Sequence, residues 1–301
     1  MFVRSKKLCV ACACVMMFAQ MSRAEVIRVY LVGGQSNGDG RADVSGLPTV
    51  PVNLQAAQAD VEFFFHTQGA GHTADSTLTT LRPGMSESNQ FGPEITLGRT
   101  LADQITDPVA VIKYANGGTN LYSQWAAGGD ATTTGDGAEY VTFQNTVAAG
   151  LAALAAAHPA DTIQLSGMVW MQGESDAGNT TYANAYAANL AAFIADVRLT
   201  FGADLPFVIG RLSSGQTAIN ATNLQTLRDA QDTVAAADAL TGLVDTDTFS
   251  LKSDHLHFDP AGQQSLGSAF ADELLTLTAV PEPATGALLL PGVLLLVRRI
   301  R

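Results

Sequence analysis

Five apolar, β-branched runs recur along this chain, spaced so that helical patterns separate most of them. The runs are Val26–Val32, Val109–Tyr114, Ile163–Met171, Pro206–Ile209 and Gly242–Asp245. The helical stretches are Glu94–Gln104, Tyr140–Ala157, Tyr182–Leu199, Asn223–Ala237 and Pro260–Leu277, the last with proline in its first turn, where a missing N–H costs nothing. Strands joined by crossover helices pair in parallel, and a parallel sheet has to be covered on both faces. The alternation therefore predicts an α/β fold: a three-layer α/β/α sandwich with a parallel central sheet. In such folds ligands bind beyond the carboxyl ends of the strands. The residues that follow each run are thus the first place to look for chemistry.

Val26–Val32 runs into Gly33-Gly34-Gln35-Ser36-Asn37-Gly38. Glycines on either side of Ser36 permit a sharp strand-to-turn transition that holds one small side chain up at the end of the sheet. On that motif alone the reading of Ser36 as a turn residue wins, since Ser and Asn favour turns for local reasons. Three further segments fall at predicted strand ends or just before the last helix. They are Asn116-Gly117-Gly118-Thr119-Asn120, then Trp170-Met171-Gln172-Gly173-Glu174-Ser175-Asp176, then Asp254-His255-Leu256-His257-Phe258. Together they hold what a serine nucleophile requires: a base, a carboxylate to orient it, and donors for the oxyanion. His257 can be the base and Asp254, three residues away in a turn, its carboxylate. Ser36 and Gly117 or Gly118 offer backbone N–H groups, and Gln172 a side-chain amide. Each feature has a bland counterpart in turn punctuation, capping or chance spacing; their joint order on successive strand ends is the argument.

Both ends of the chain read as addresses. Arg4, Lys6 and Lys7 precede an apolar stretch from Leu8 to Ala19, and Ser22-Arg23-Ala24 supplies small residues for cleavage, so residues 1–24 are expected to be a signal peptide. A lipoprotein reading through Cys12 or Cys14 is weaker, because too little apolar sequence precedes either. All three cysteines lie in this leader. The mature protein is thus expected to hold no disulfide, thiolate metal site or cysteine nucleophile. Val280-Pro281-Glu282-Pro283 opens the other end, followed by the apolar Ala284–Val297 and Arg298-Arg299-Ile300-Arg301. Between these ends, residues 25–279 hold 9 basic and 27 acidic side chains. A surface so acidic argues against nucleic acid and anionic membranes as partners.

The order Gly-Gln-Ser-Asn, Gly-Gly-Thr-Asn, Trp-Met-Gln-Gly-Glu-Ser-Asp and Asp-x-x-His-Phe resembles the SGNH hydrolase superfamily, and within it the sialate O-acetylesterase and acetylxylan esterase group, carbohydrate esterase family 6. Phe91-Gly92-Pro93-Glu94 and Arg228-Asp229-Ala230-Gln231 resemble the same group. The resemblance spans 26 to about 275 and implies one flavodoxin-like SGNH domain over 25–279. It also implies removal of O-acetyl groups from an oligo- or polysaccharide, with no metal and no cofactor. By it Ser36 is the nucleophile, His257 the base and Asp254 the acid, while Ser36, Gly117 or Gly118 and Gln172 are the oxyanion-hole positions. Glu174 is a second candidate acid. The tail, residues 280–301, resembles the PEP-CTERM sorting signal of Gram-negative bacteria. It implies export to the periplasm, cell surface or medium, contact with export and sorting machinery through both termini, and only a transient membrane association, since 14 apolar residues are short of the ~20 a span needs.

Competing readings are less economical. Gly34-Gln35-Ser36-Asn37-Gly38 also spells the Gly-x-Ser-x-Gly elbow of α/β-hydrolases, but those place it after several strands, with acid and histidine usually on separate loops. The glycines miss the Gly-x-Gly-x-x-Gly register of dinucleotide sites. His66 and His72 read as solvated loop residues. His255 is the rival base, although two residues from His257 it points the opposite way in an extended segment. An exported carbohydrate-binding or matrix protein on an inactive esterase fold is the remaining alternative. Residues 40–90 and 116–138 break the strand–helix rhythm and are expected to be lids, substrate-contact loops or disordered decoration.

Overall fold

The structure, a computed structural model, describes residues 24–67, 75–86 and 89–279. The leader up to Arg23, the tail from Val280 and His72 lie outside the described residues. In chain order the first elements are β1 (Val26–Gly34), α1 (Ser36–Asp39), β2 (Ala42–Asp43), β3 (Gln58–His66), β4 (Thr79–Leu81), β5 (Gln90–Phe91), α2 (Glu94–Gln104) and β6 (Val109–Ala115). They continue with α3 (Ala138–Ala157), β7 (Thr162–Met171), α4 (Glu174–Ala177), α5 (Thr180–Phe201), β8 (Phe207–Gly210), α6 (Ala221–Ala236), β9 (Thr241–Val244) and α7 (Pro260–Ala279). All five expected strands and all five expected helices form, with ends displaced by at most two residues.

Seven strands build one sheet in the order β4-β3-β6-β1-β7-β8-β9, and β2 and β5 form a separate antiparallel pair. Every pairing in the large sheet is parallel except that of β4, which closes the edge antiparallel to β3. The sheet is therefore mixed at one edge, where the sequence suggested parallel strands throughout. Neighbouring residues of β6 show the two covered faces. Val111 lies under α2, near Gly98, whereas Ile112 lies under α3, near Gly150. Helices α2 and α7 pack on one another, as do α5 and α6. The core between α3, α5 and the sheet is aromatic: Trp170 meets Trp125 edge-on at 5.0 Å between centroids and Phe193 at 4.6 Å.

The two stretches read as loops are in large part framework. Residues 40–90 contain β3, whose Val61-Glu62-Phe63-Phe64-Phe65 run pairs with β6 in parallel. Phe63 and Phe65 stack on one face at 5.2 Å, and Phe64 turns to the other, toward α3. The flanking Gly, Thr and Asp residues masked this run, although its aromatic content is strand-like. Segment 116–138 carries Leu121 and Trp125, both fully buried. Its first part is thus anchored in the core, while residues 128–135 are exposed.

This topology explains where chemistry can sit. From β1 the chain builds β3 and β6 to one side, then crosses to β7, β8 and β9 on the other, so β1 lies at the switch point where a crevice opens. Its last residue, Gly34, is in register with Ala115 of β6 and Met171 of β7. The three segments that follow these strands emerge side by side. Gly34 has φ 141°, and a Cβ there would stand 2.1 Å from the Met171 carbonyl oxygen, so only glycine lets the chain turn at this point.

Candidate active site

Ser36 opens α1, and its turn is tied down through its neighbours. The Gln35 N–H donates to Met171 O at 2.9 Å, and Gln35 Oε1 accepts from the Ser175 N–H at 3.2 Å. Ser36 Oγ faces His257 Nε2 at 3.0 Å, and His257 Nδ1 faces Asp254 Oδ2 at 2.8 Å. The other Asp254 oxygen accepts from the backbone N–H groups of Leu256 and His257, both at 2.9 Å. Partial burial opposes ionisation of Asp254, but the hydrogen bonds from His257 and Leu256 outweigh it and bring its pKa down to about 2. The series thus joins an ionised carboxylate to an imidazole and the imidazole to a hydroxyl.

Asn37 couples the two ends of this series. It is fully buried. Its amide donates to Glu174 Oε1 at 2.6 Å and to Leu256 O at 3.1 Å, its Oδ1 accepts from the Phe258 N–H at 3.0 Å, and its carbonyl accepts from Gln263 at 3.0 Å. Gln216 adds bonds to Leu256 O at 2.8 Å and to Glu174 Oε1 at 3.3 Å. The segment bearing Asp254 and His257 is therefore clamped to the segment bearing Ser36. Asn37 and Gln216 had no assigned role in the sequence. The partners of Asn37 lie 137 to 226 residues away and those of Gln216 at Glu174 and Leu256 lie 42 and 40 away, and locally Asn37 looks like any turn asparagine.

Glu174 lies near His257, but its bonds go to Asn37 and Gln216 rather than to the imidazole or Arg228. Arg228 pairs instead with Asp247 at 2.7 Å. Burial raises the Glu174 pKa against the opposing effect of the Asn37 bond, and its Oε2 is buried without a partner. A neutral amide can take this place, with its oxygen accepting from both donors. Glu174→Gln should keep kcat/KM for an acetyl ester within a few-fold, whereas Glu174→Ala strands two buried donors and should cost about 1–3 kcal/mol of stability in thermal or denaturant unfolding. A collapse of activity in Glu174→Gln with unchanged stability would make Glu174 the orienting acid after all.

The remaining sequence candidates fall on both sides of the cleft wall. Gly117 borders Ser36 directly: a Cβ on it would lie 3.4 Å from Ser36 Cβ and 2.8 Å from Arg41 Nη2. Gly118 has φ 76° and opens into free space. Ser36 leads α1, so its N–H has no acceptor within the helix. Gln172 is placed differently from expectation. It is fully buried, and its Nε2 donates to Asp176 at 2.6 Å, to Thr119 O at 3.0 Å and to Gln35 at 3.2 Å. Its amide holds three loops together and is not among the groups that line the cleft. His255 sits in a turn with φ 53°, not in an extended segment, and is exposed. His66 is half-buried beside Asp75 at 3.1 Å and stacks on Tyr114, so it is not a solvated loop residue.

Ser36, His257, Gly117, Gly118, Arg41 and Glu174 share one cleft of about 780 Å³. Beneath its floor the buried Lys113 ammonium meets Glu94 at 2.8 Å and the Asp39 carbonyl oxygen, which anchors the far end of α1. No cluster of three or more His, Cys, Asp or Glu side chains suited to a metal occurs among the described residues.

A mostly parallel α/β/α sandwich with this Ser–His–Asp series beyond the end of its central strand has the fold and site expected of an SGNH hydrolase. A profile of the family described as carbohydrate esterase, sialic acid-specific acetylesterase matches residues 26–276. The chain belongs to that family, and its enzyme class is carbohydrate O-acetylesterase. Among solved structures, a protein from Arabidopsis thaliana superposes with a TM-score of 0.64 at 18% identity, covering 83% of this chain and 98% of its own. NanS superposes with a TM-score of 0.57 at 15% identity, covering 85% of this chain and 98% of its own. A carbohydrate acetylesterase from Xanthomonas citri gives 0.55 at 21% identity over 81% of this chain, which spans 55% of that protein. At these identities the likeness is one of fold. No curated protein sequence matches the chain.

Proposed function

We propose that the protein is an exported serine esterase that removes O-acetyl groups from carbohydrates through an acetyl-Ser36 intermediate. The observation that carries this reading is the alignment of Asp254, His257 and Ser36 at 2.8 and 3.0 Å, clamped by Asn37. Ser36 Oγ attacks the acetyl carbon while His257 Nε2 takes its proton. The N–H groups of Ser36 and of Gly117 or Gly118 receive the oxyanion. Collapse of the tetrahedral intermediate breaks the bond to the sugar oxygen, which leaves with the proton from His257. Water then attacks the acetyl-enzyme, again giving its proton to His257, and acetate departs as Ser36 is restored. Asp254 holds the imidazole in the tautomer whose Nε2 carries the lone pair.

The ends of the chain support export: a basic, apolar and small-residue leader at 1–24 and the Pro-Glu-Pro tail at 280–301. The test is acetate release by the purified protein from O-acetylated sialic acid, acetylated xylan fragments and acetylated glucose, beside p-nitrophenyl acetate. The expected result is hydrolysis of p-nitrophenyl acetate and of at least one acetylated sugar, with radiolabelled acetyl retained on Ser36 after acid quench. Absence of hydrolysis across all four substrates by a folded protein would reject the reading.

A further inference from the structure

We infer that Tyr122 and Tyr182 form a sugar-stacking platform beside the cleft, so that the substrate is a chain of pyranose units rather than a single acetylated sugar. This rests on the carbohydrate reading above. The rings are stacked, with centroids 4.2 Å apart and planes 12° from parallel. Tyr122 is 42% exposed even though Tyr182 covers one of its faces, and it is the only aromatic among the exposed large apolar residues of the described chain.

The pair lies outside the cleft lining but is tied to residues beside it. Asp176 accepts from the N–H groups of Leu121 at 2.8 Å and Tyr122 at 3.0 Å, while its neighbour Ser175 lines the cleft. Gly178, also in the lining, is four residues before Tyr182. Asn179 caps α5 by accepting from the Tyr182 N–H at 3.3 Å. The Tyr122 segment is held from both sides. Asn120 Oδ1 accepts from the Ser123 N–H at 2.9 Å, and Trp125 donates to Thr119 at 2.8 Å. The backbone beneath both rings is thus held, and the rings rest on one another, which lowers the cost to a ligand of ordering them.

Chemistry and size point to a saccharide chain. The axial C–H bonds of a pyranose pack flat on an aromatic face, and tyrosine adds a hydroxyl for the ring's own hydroxyls. A cleft of about 780 Å³ matches the ~300–1,000 Å³ of sites for ligands many times larger than an acetyl group. An acetylated unit at Ser36 leaves its neighbours to run along the Ser175–Gly178 wall toward Tyr122.

The test compares wild type, Tyr122→Ala and Tyr122→Trp on p-nitrophenyl acetate and on acetylated xylose, xylotriose and xylohexaose, with calorimetric binding of unacetylated xylohexaose and cellohexaose. The expected wild-type result is a kcat/KM that rises with chain length, and a KM for the hexamer that Tyr122→Ala raises by about tenfold. Tyr122→Trp should retain the length effect, and all three proteins should hydrolyse p-nitrophenyl acetate alike. Hexasaccharide binding should weaken in Tyr122→Ala by the same factor. The platform is overturned if neither hexasaccharide binds wild type, or if Tyr122→Ala binds and turns over every length as wild type does. Binding that depends on Tyr122 without any hydrolysis would refute the esterase reading and leave the platform standing.

Discussion

Ser36→Ala should lower kcat/KM for p-nitrophenyl acetate by about 10³-fold or more while leaving the folded state intact. The side-chain oxygen has His257 Nε2 as its partner, at 3.0 Å. Its removal strands no buried donor, and the turn is held by Gln35, Asn37 and the main chain rather than by the hydroxyl. Thermal unfolding should therefore change little. Activity within tenfold of wild type would mean that another group attacks the ester, and the mechanism would fall with it.

Asp254→Asn is the second large effect, a loss of about 10²–10⁴ in kcat/KM. The amide oxygen can still accept from the Leu256 and His257 N–H groups, so the turn survives. What changes is the face toward His257. An NH₂ group opposite Nδ1 selects the tautomer with its proton on Nε2, and that proton then points at Ser36 where a lone pair is needed. In wild type the pKa of about 2 keeps Asp254 ionised through the neutral and mildly acidic range. Its titration therefore adds no step to the pH–rate profile there. The stability linkage has the sign of a depressed carboxylate. The favourable contribution is complete above the ordinary value of 3.8 and is lost as pH falls toward about 2. A full-activity Asp254→Asn enzyme would transfer the orienting role elsewhere.

Much of the framework was legible because its causes are local. Val26–Val32 and Val109–Tyr114 are β-branched and apolar enough to form central strands in nearly any context, and Glu94–Gln104 carries its own helical pattern. β3 was hidden because polar, glycine-rich sequence surrounds it. Its place beside β6 depends on the sheet and not on its neighbours in the chain. The antiparallel β4 escaped for the same reason. Trp125 shows the limit differently: composition alone places its segment in a loop, yet burial against Trp170 makes it core.

The same division holds at the site. Residue types and their order along the chain already single out Ser36, Asp254 and His257 as candidates for a nucleophile with its base and acid, because Asp254 and His257 are three residues apart and Ser36 follows the first strand. Whether those groups meet is a different matter. Ser36 and His257 are 221 residues apart and come to 3.0 Å only because β1 lies at the switch point and Asn37 clamps the final turn. Hydrogen bonds also tie Gln172 to Thr119, Gln35 and Asp176, and Glu174 to Asn37 and Gln216, since a buried carboxylate or amide is committed to whichever donors and acceptors the fold brings to it. Local propensity encodes which side chains stand at strand ends; the direction each one faces depends on partners that no local stretch of sequence contains.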